Sequence, residues 1–253
     1  MTRLAVLADI HGNLPALEAV AADAATRKVD AVVDLGDIVS GPLWPRETLA
    51  LLRRLGWPGV RGNHDRRVAH APLDDLSQTD RFAADEIGEE GRLFLATLPA
   101  TTVPAPGMLA THACPGDDER YLLEDVEAGH LQPASAERVS GRLHGVDAAL
   151  VLTGHSHKPS LRLLAGGVVV VNPGSVGCPA YRDDEPEHVS ETGAPWARYA
   201  VLTLRVSLGG RPMLAGADMV ALAYDHGSAV RRARALDRPD WAHALAHGAM
   251  GPR

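Results

Sequence analysis

The stretch Gly62-Asn63-His64-Asp65 decides how the rest of this chain is read. It closes a short apolar run, Trp57 to Val60, bounded by turn residues, so it reads as the loop that follows a strand. Taken alone, four such residues are an ordinary surface turn, because Gly, Asn and Asp are turn formers. Their side chains also make a chemical set. An asparagine offers a neutral oxygen to a metal, a histidine donates to an anionic oxygen, and an aspartate can hold that imidazole in one tautomer.

Working outward, the same arrangement recurs. Leu4 to Ala8 is a short apolar run that reads as a buried strand and ends at Asp9-Ile10-His11-Gly12-Asn13, and Leu14 to Ala25 follows at helical spacing with Pro15 at its front. Ala31 to Leu35 is a second buried strand, ending at Gly36-Asp37, with a helix over Glu47 to Leu55. Residues 72–98 read as helical. Gly107 to Thr111 runs into His112, and Ala148 to Thr153 runs into Gly154-His155-Ser156-His157. Between these two, Leu122 to about Leu143 reads as one or two helices. Gly167 to Val171 ends at Asn172-Pro173-Gly174-Ser175, residues 178–197 read as a long polar loop, and Tyr199 to Val206 and Met213 to Tyr224 read as strands. Ser228 to His247 reads as one or two surface helices. The βα alternation predicts an α/β fold in a single domain over residues 1–253, with cap or flap segments at 113–134 and 178–197.

Five apolar runs therefore end in candidate ligands: Asp9 with His11, Asp37, Asn63, His112, and His155 with His157. Open α/β sheets gather ligands outside the carboxyl ends of their strands, so these loops are expected to share one pocket. Carboxylates and imidazoles pooled without a counter-ion would repel and compete for protons, and metal ions resolve this. The inventory supports more than one ion. Oxygen and imidazole donors suit Mn, Fe, Zn, Co or Ni, and two ions sharing a carboxylate would sit roughly 3.5–4 Å apart, as in phosphoryl chemistry.

The ordered set Asp9-x-His11, Gly36-Asp37, Gly62-Asn63-His64-Asp65, His112 and Gly154-His155-Ser156-His157 resembles the five blocks of the calcineurin-like metallophosphoesterases. Asn172-Pro173-Gly174-Ser175 is similar to the segment that follows them in the small prokaryotic phosphodiesterase branch, including the subset labelled diadenosine-tetraphosphatase-like or protein-phosphatase-like. The resemblance implies a four-layer αββα sandwich, with two mixed β-sheets flanked by helices. It implies two divalent ions, manganese first, with Asp9, His11, Asp37 and His157 at one position and Asp37, Asn63, His112 and His155 at the other. His64, oriented by Asp65, would touch the phosphoryl oxygen or protonate the leaving group, and a hydroxide bridging the ions would attack a phosphodiester or small nucleotide. A phosphomonoesterase, a dinucleoside polyphosphate hydrolase and a non-catalytic scaffold of the same fold are the alternatives. Asn13 is expected to brace the first loop through its side chain or to touch substrate, and Arg182 is a candidate substrate contact. His112 is followed by Ala113-Cys114-Pro115 where the family more often has His-Gly.

Composition narrows the setting. A formal net charge of −7 speaks against a nucleic acid polymer or an anionic membrane as partner, though not against a small nucleotide. Two cysteines do not make a disulfide framework, no run approaches the roughly 18 apolar residues of a membrane span, and no secretory progression opens the chain. A cytoplasmic protein is expected, acting on a small phosphorylated substrate, with room for a homo-oligomer.

Overall fold

The computed structural model describes residues 1–206 and 210–252. In chain order the elements are β1 (Thr2–Leu7), α1 (Leu14–Thr26), β2 (Ala31–Asp34), α2 (Pro45–Leu55), α3 (Asn63–His70), a 3₁₀ turn (Leu73–Asp75), α4 (Gln78–Thr97), β3 (Thr101–Thr102), β4 (Met108–Thr111), β5 (Glu124–Glu127) and β6 (His130–Pro133). Then follow α5 (Ala136–Arg142), β7 (Leu150–Leu152), β8 (Ser160–Leu163), β9 (Val169–Asn172), β10 (Ala180–Asp184), β11 (Glu187–Glu191), β12 (Ala197–Val206), β13 (Pro212–Leu222), α6 (His226–Ala235) and α7 (Pro239–His247).

Two sheets make the centre. One has the order β13-β12-β1-β2, with β1 parallel to β2 and antiparallel to β12; the other has the order β3-β4-β7-β9-β8, with β4, β7 and β9 parallel. Side chains alternate across each strand, and both faces are apolar. Leu4, Val6 and Ala8 point between the sheets to meet Met108, Ala110, Leu150, Leu152 and Val171. Ala5 and Leu7 point the other way, into a cluster with Leu17 and Val20 of α1, Leu49 and Leu52 of α2, Val68 of α3 and Leu95 of α4. On the far side of the second sheet, Val151 and Val170 pack with Val139 of α5, Leu122 and Leu123. This is the expected four-layer αββα sandwich. Each buried Leu or Val contributes roughly 1.5–3 kcal/mol of transfer free energy.

Local chemistry sets the helices. Asn13 caps α1 by accepting the Ala16 N–H at 3.3 Å. α2 opens on Pro45 and ends at Gly56 in the left-handed region (φ 63°), with Glu47 in its first turn and Arg53 and Arg54 in its last, the charge order the helix dipole favours.

Several expectations change. The apolar run before Gly62 is not a strand: it makes one parallel bridge, Gly59 to Asp34, because Pro58 has no N–H to donate. Residues 72–98 hold a 3₁₀ turn and then α4, which breaks at Gly88 (φ 66°). Residues 122–143 are a hairpin, β5 and β6, followed only then by the short α5. Ala128 and Gly129 both take positive φ there (49° and 77°), which makes the tight turn. Residues 178–197 are not a loop: β10 and β11 pair antiparallel, and β11 joins β6 to give a third, small sheet of order β10-β11-β6-β5. The two segments expected to flank the site therefore belong to one sheet. α6 and α7 are not merely surface helices, since Ala229, Val230, Ala233, Ala242 and Leu245 enclose Leu43. Among the described residues, no helix is long and apolar enough to cross a membrane.

Candidate metal centre

The loops after β1, β2, β4 and β7 and the start of α3 meet at one end of the sandwich. They are tied together by backbone. Asp9 N–H donates to Gly36 O, His11 N–H to Asp37 O and Gly12 N–H to Ile38 O, each at 2.9 Å, and Gly154 N–H donates to His112 O at 2.7 Å. Among the described residues, five of the eight non-glycine positions with positive φ are Asp9 (58°), His11 (52°), Asp37 (59°), His155 (69°) and His157 (58°). A left-handed L-residue costs roughly 1–2 kcal/mol. Such strain collects where function needs a particular side-chain direction.

The tautomers follow from the outer hydrogen bonds. Nδ1 of His11 donates to Ser40 O at 2.6 Å, Nδ1 of His112 to Leu35 O at 2.8 Å, and Nδ1 of His157 to Cys178 O at 2.8 Å. Each Nε2 is then a bare lone pair in the neutral ring. The Nε2 atoms of His11 and His157 face each other at 3.2 Å, and Nε2 of His112 lies 3.1 Å from Asn63 Oδ1 and 3.3 Å from Asp37 Oδ2. Asp9 Oδ1 is fully buried and has no hydrogen-bond partner among the described residues, 3.3 Å from His157 Nε2. His155 differs: its Nε2 donates to Glu119 O at 3.0 Å, which leaves Nδ1 as its lone pair. Acceptors that converge on acceptors, with no donor between them, fit cations. The ligand atoms of Asp9, His11 and Asp37 lie within 4.8 Å of one another, as do those of Asp37, His112 and His155.

Electrostatics shows the same conflict. Burial works to lower His112 and His157, yet the Asp37 and Asp9 carboxylates hold His112 up to about 10 and His157 well above the ordinary range. Burial, with a neighbouring imidazole, drives His11 down to about 4 and His155 down to about 3. Despite its own burial, Asp37 is held well below the usual carboxylate range by His112 and His64. Neighbouring imidazoles are thus pulled toward opposite protonation states within one pocket, a conflict a divalent ion bound to their ring-nitrogen lone pairs would relieve.

His64 stands beside this cluster on α3, partly exposed. Its Nδ1 is 2.8 Å from Oδ1 of Asp80, a buried carboxylate that also accepts from Ser40 Oγ at 2.6 Å and Ser77 Oγ at 2.9 Å. Burial opposes its charge, but Asp80 and Asp37 hold His64 up to about 9. The orienting carboxylate is therefore Asp80 and not Asp65. Asp65 is fully buried and accepts three backbone N–H groups, from Asp37 at 2.7 Å and from Ile38 and Gly62 at 3.0 Å. It pins two ligand loops and caps α3. Burial and the Asp37 charge push it up to about 7 against those three bonds.

Of its two expected roles, Asn13 takes the brace and not the substrate contact. It is fully buried, and its amide donates to Gly177 O and Tyr224 Oη at 2.9 Å each while its oxygen caps α1, so it holds the first loop. The Asn172 block is a brace too: Asn172 Nδ2 donates to Gly154 O and Ser175 Oγ donates to Asp9 O, both at 2.8 Å.

A cavity of about 560 Å³ opens over the cluster, and Arg182 is on its wall, donating to Gly251 O at 3.2 Å. Glu119, Tyr121, Tyr181 and Asp183 reach it from the two segments around the small sheet, Arg238 from just before α7 and Trp241 from α7. Tyr121 stacks on His155 (4.7 Å between ring centroids) and Tyr181 meets His157 edge-on (4.6 Å). The two phenols are 2.8 Å apart, and Tyr121 Oη is 2.7 Å from His188 Nε2. Asp80 had a visible signal in Ser77-x-x-Asp80, a helix-start spacing. Tyr121 and Trp241 had none, since nothing local ties them to the ligand loops.

A sandwich carrying a cation-adapted cluster at its strand ends, with a carboxylate-paired histidine beside it, defines a phosphoester hydrolase of the metal-dependent kind. The chain belongs to the calcineurin-like phosphoesterase superfamily, whose domain model matches residues 2–191. It is 30% identical over 200 residues to the uncharacterized protein MJ0912 of Methanocaldococcus jannaschii, a stretch covering 70% of this chain and 76% of the relative. Among solved structures it is similar to a metallophosphoesterase from Sphaerobacter thermophilus (TM-score 0.71, 23% identity, 98% of this chain and 99% of the other). It is also similar to the hypothetical protein PH1004 from Pyrococcus horikoshii OT3 (TM-score 0.75, 21% identity, 99% and 100%).

Proposed function

We propose that the chain is a dinuclear-metal phosphoesterase acting on a phosphodiester or small nucleotide. The observation that carries this reading is the convergence of Nε2 of His11, His112 and His157 with Asn63 Oδ1, Asp37 and the unpartnered Asp9 Oδ1 in one buried cluster. Asp9, His11, Asp37 and His157 would hold one ion and Asp37, Asn63, His112 and His155 the other. The donors suit manganese, iron, zinc, cobalt or nickel, and manganese is the ion to test first. Divalent ions there supply Lewis acidity toward phosphoryl oxygen and acidify water.

The remaining work falls to side chains. With Nδ1 engaged by Asp80, His64 presents Nε2 to the cavity, where the imidazolium donates to a phosphoryl oxygen or gives a proton to the departing alkoxide. Tyr121, Tyr181 and Arg182, on the segments at 113–134 and 178–197, act as a cap that selects substrate. The cavity is larger than inorganic phosphate needs, which favours a diester or nucleotide over a simple monoester. The net charge argues against a nucleic acid polymer, both cysteines are free thiols as suits a cytoplasmic setting, and a homo-oligomer is compatible with the fold.

The test is metal content of the purified protein together with hydrolysis of bis(p-nitrophenyl) phosphate before and after adding manganese. About two ions per chain with metal-dependent turnover is expected. Failure to bind or turn over with any divalent ion sinks the proposal.

A further inference from the structure

We infer that Cys178 supplies a sulfur ligand to the metal position formed by Asp9, His11 and His157, and so biases that position toward a thiophilic ion such as zinc or cobalt(II). The inference rests on the metal reading above and adds a donor to it. The ligand atoms of His11, His157 and Cys178 lie within 4.8 Å of one another, and all three residues line the same cavity. With Asp37 the set has five donors, and adjacent donors around a five-coordinate ion with bonds of about 2.0–2.3 Å sit roughly 2.8–3.3 Å apart, so a side-chain shift closes the set. A second observation points to an ion at this spot: Asp9 Oδ1, fully buried and without a partner, lies 3.3 Å from His157 Nε2.

Cys178 is fixed to that position through its backbone. Its N–H donates to Ser175 Oγ at 2.8 Å, and Ser175 Oγ donates to Asp9 O at 2.8 Å. The preceding Gly177 N–H donates to Asp9 O at 3.0 Å, and Cys178 O receives the Nδ1–H of His157 at 2.8 Å. A Cβ on Gly177 would lie 1.8 Å from Ile10 O, so the two loops are in backbone contact and only glycine fits. The residue that carries the thiol is thus tied to two candidate ligands of the same ion. Its Sγ–H makes one long bond, to Ala180 O at 3.3 Å, which an ion readily replaces as the thiol proton leaves to solvent. Cys114, the other thiol, donates to Tyr121 O and is packed beside Leu122, Leu123 and Val139, away from the cluster. A thiolate among imidazole and carboxylate donors favours zinc, cobalt or iron over manganese or magnesium.

The experiment is zinc-edge X-ray absorption of the zinc-loaded full chain, with metal content measured on the same sample. A sulfur shell at about 2.3 Å is expected, near half a sulfur per zinc when two ions are bound. In the cobalt(II) form, a sulfur-to-metal charge-transfer absorption should be present in the wild type and in Cys114→Ser and absent in Cys178→Ser. Bound metal with only nitrogen and oxygen neighbours overturns the inference and leaves the metal site standing. No bound metal at all overturns the site, and the inference with it. The absorption measurement on wild-type protein decides the question even if Cys178→Ser does not fold.

Discussion

Replacing Asp65 with alanine separates two accounts of the Asn63-His64-Asp65 triplet. In the structure the Asp65 carboxylate is the shared acceptor for the N–H groups of Asp37, Ile38 and Gly62, at 2.7, 3.0 and 3.0 Å. Nothing else can enter the gap, because a Cβ on Gly36 would lie 2.3 Å from the Gly62 nitrogen and one on Gly62 would lie 2.0 Å from Asp37 Oδ1. Asp65→Ala strands three buried donors at about 1 kcal/mol or more each, so a loss of about 3 kcal/mol is expected. That is a large part of the roughly 5–15 kcal/mol by which domains are stable. The loops bearing Asp37 and Asn63 would also lose their register, since His64 N–H donates to Asp37 Oδ1 across the same junction. Denaturant unfolding should show the stability loss, and metal analysis should show at least one ion missing. Unfolding within about 0.5 kcal/mol of wild type, with full metal content and lost turnover, would refute the tether and restore Asp65 as the partner of His64.

Three further outcomes follow from the same geometry. His64→Ala should lower turnover about a hundredfold or more while metal content stays at the wild-type level, and Asp80→Ala should lower it about tenfold by freeing the imidazole, measured as kcat on a chromogenic diester. Removing metal with a chelator should lower the unfolding temperature, and restoring manganese at about a hundred times its Kd should recover about 2.7 kcal/mol, read by thermal scans. Burial pushes the Glu124 carboxyl from 4.5 up to about 7, against a hydrogen bond with Ser156, so its contribution to stability is complete below about pH 4.5 and lost by about pH 7. Glu124→Gln should match wild type near pH 4.5 and exceed it by up to about 3 kcal/mol at pH 8, as urea unfolding at the two pH values would show.

The sequence disclosed the centre of the fold because its strands are buried on both faces and end in polar residues. Runs such as Leu4 to Ala8 and Ala148 to Thr153 carry that signature locally, and their order along the chain carried the fold family. The small sheet was hidden for the opposite reason. β10 and β11 have one side over a polar cavity and little core to fill, so Tyr181, Arg182, Asp183 and His188 show no apolar alternation. β5 and β6 were masked by helix-compatible residues around one turn. Within the site, spacing marked the candidate ligands but not the roles of their neighbours. Asp65 adjoins His64 in sequence, but a residue at the start of a helix more readily reaches back to backbone N–H groups, as Gly62-x-x-Asp65 does. Asp80 and Cys178 reach the centre only through tertiary packing.

The place of β1 between β2 and β12 bears on how the protein is made. β1 leaves the ribosome shortly before its parallel partner Ala31–Asp34, but about 190 residues separate it from its antiparallel partner Ala197–Val206. Until then an apolar strand carries an open edge, the kind of surface that recruits other chains. The superfamily match stops at residue 191, ahead of that partner. A chain cut there would hold every proposed ligand and still leave the β1 edge that pairs with Ala197–Val206 open, so it should aggregate where the full chain does not. Chemical completeness and folding competence end at different residues.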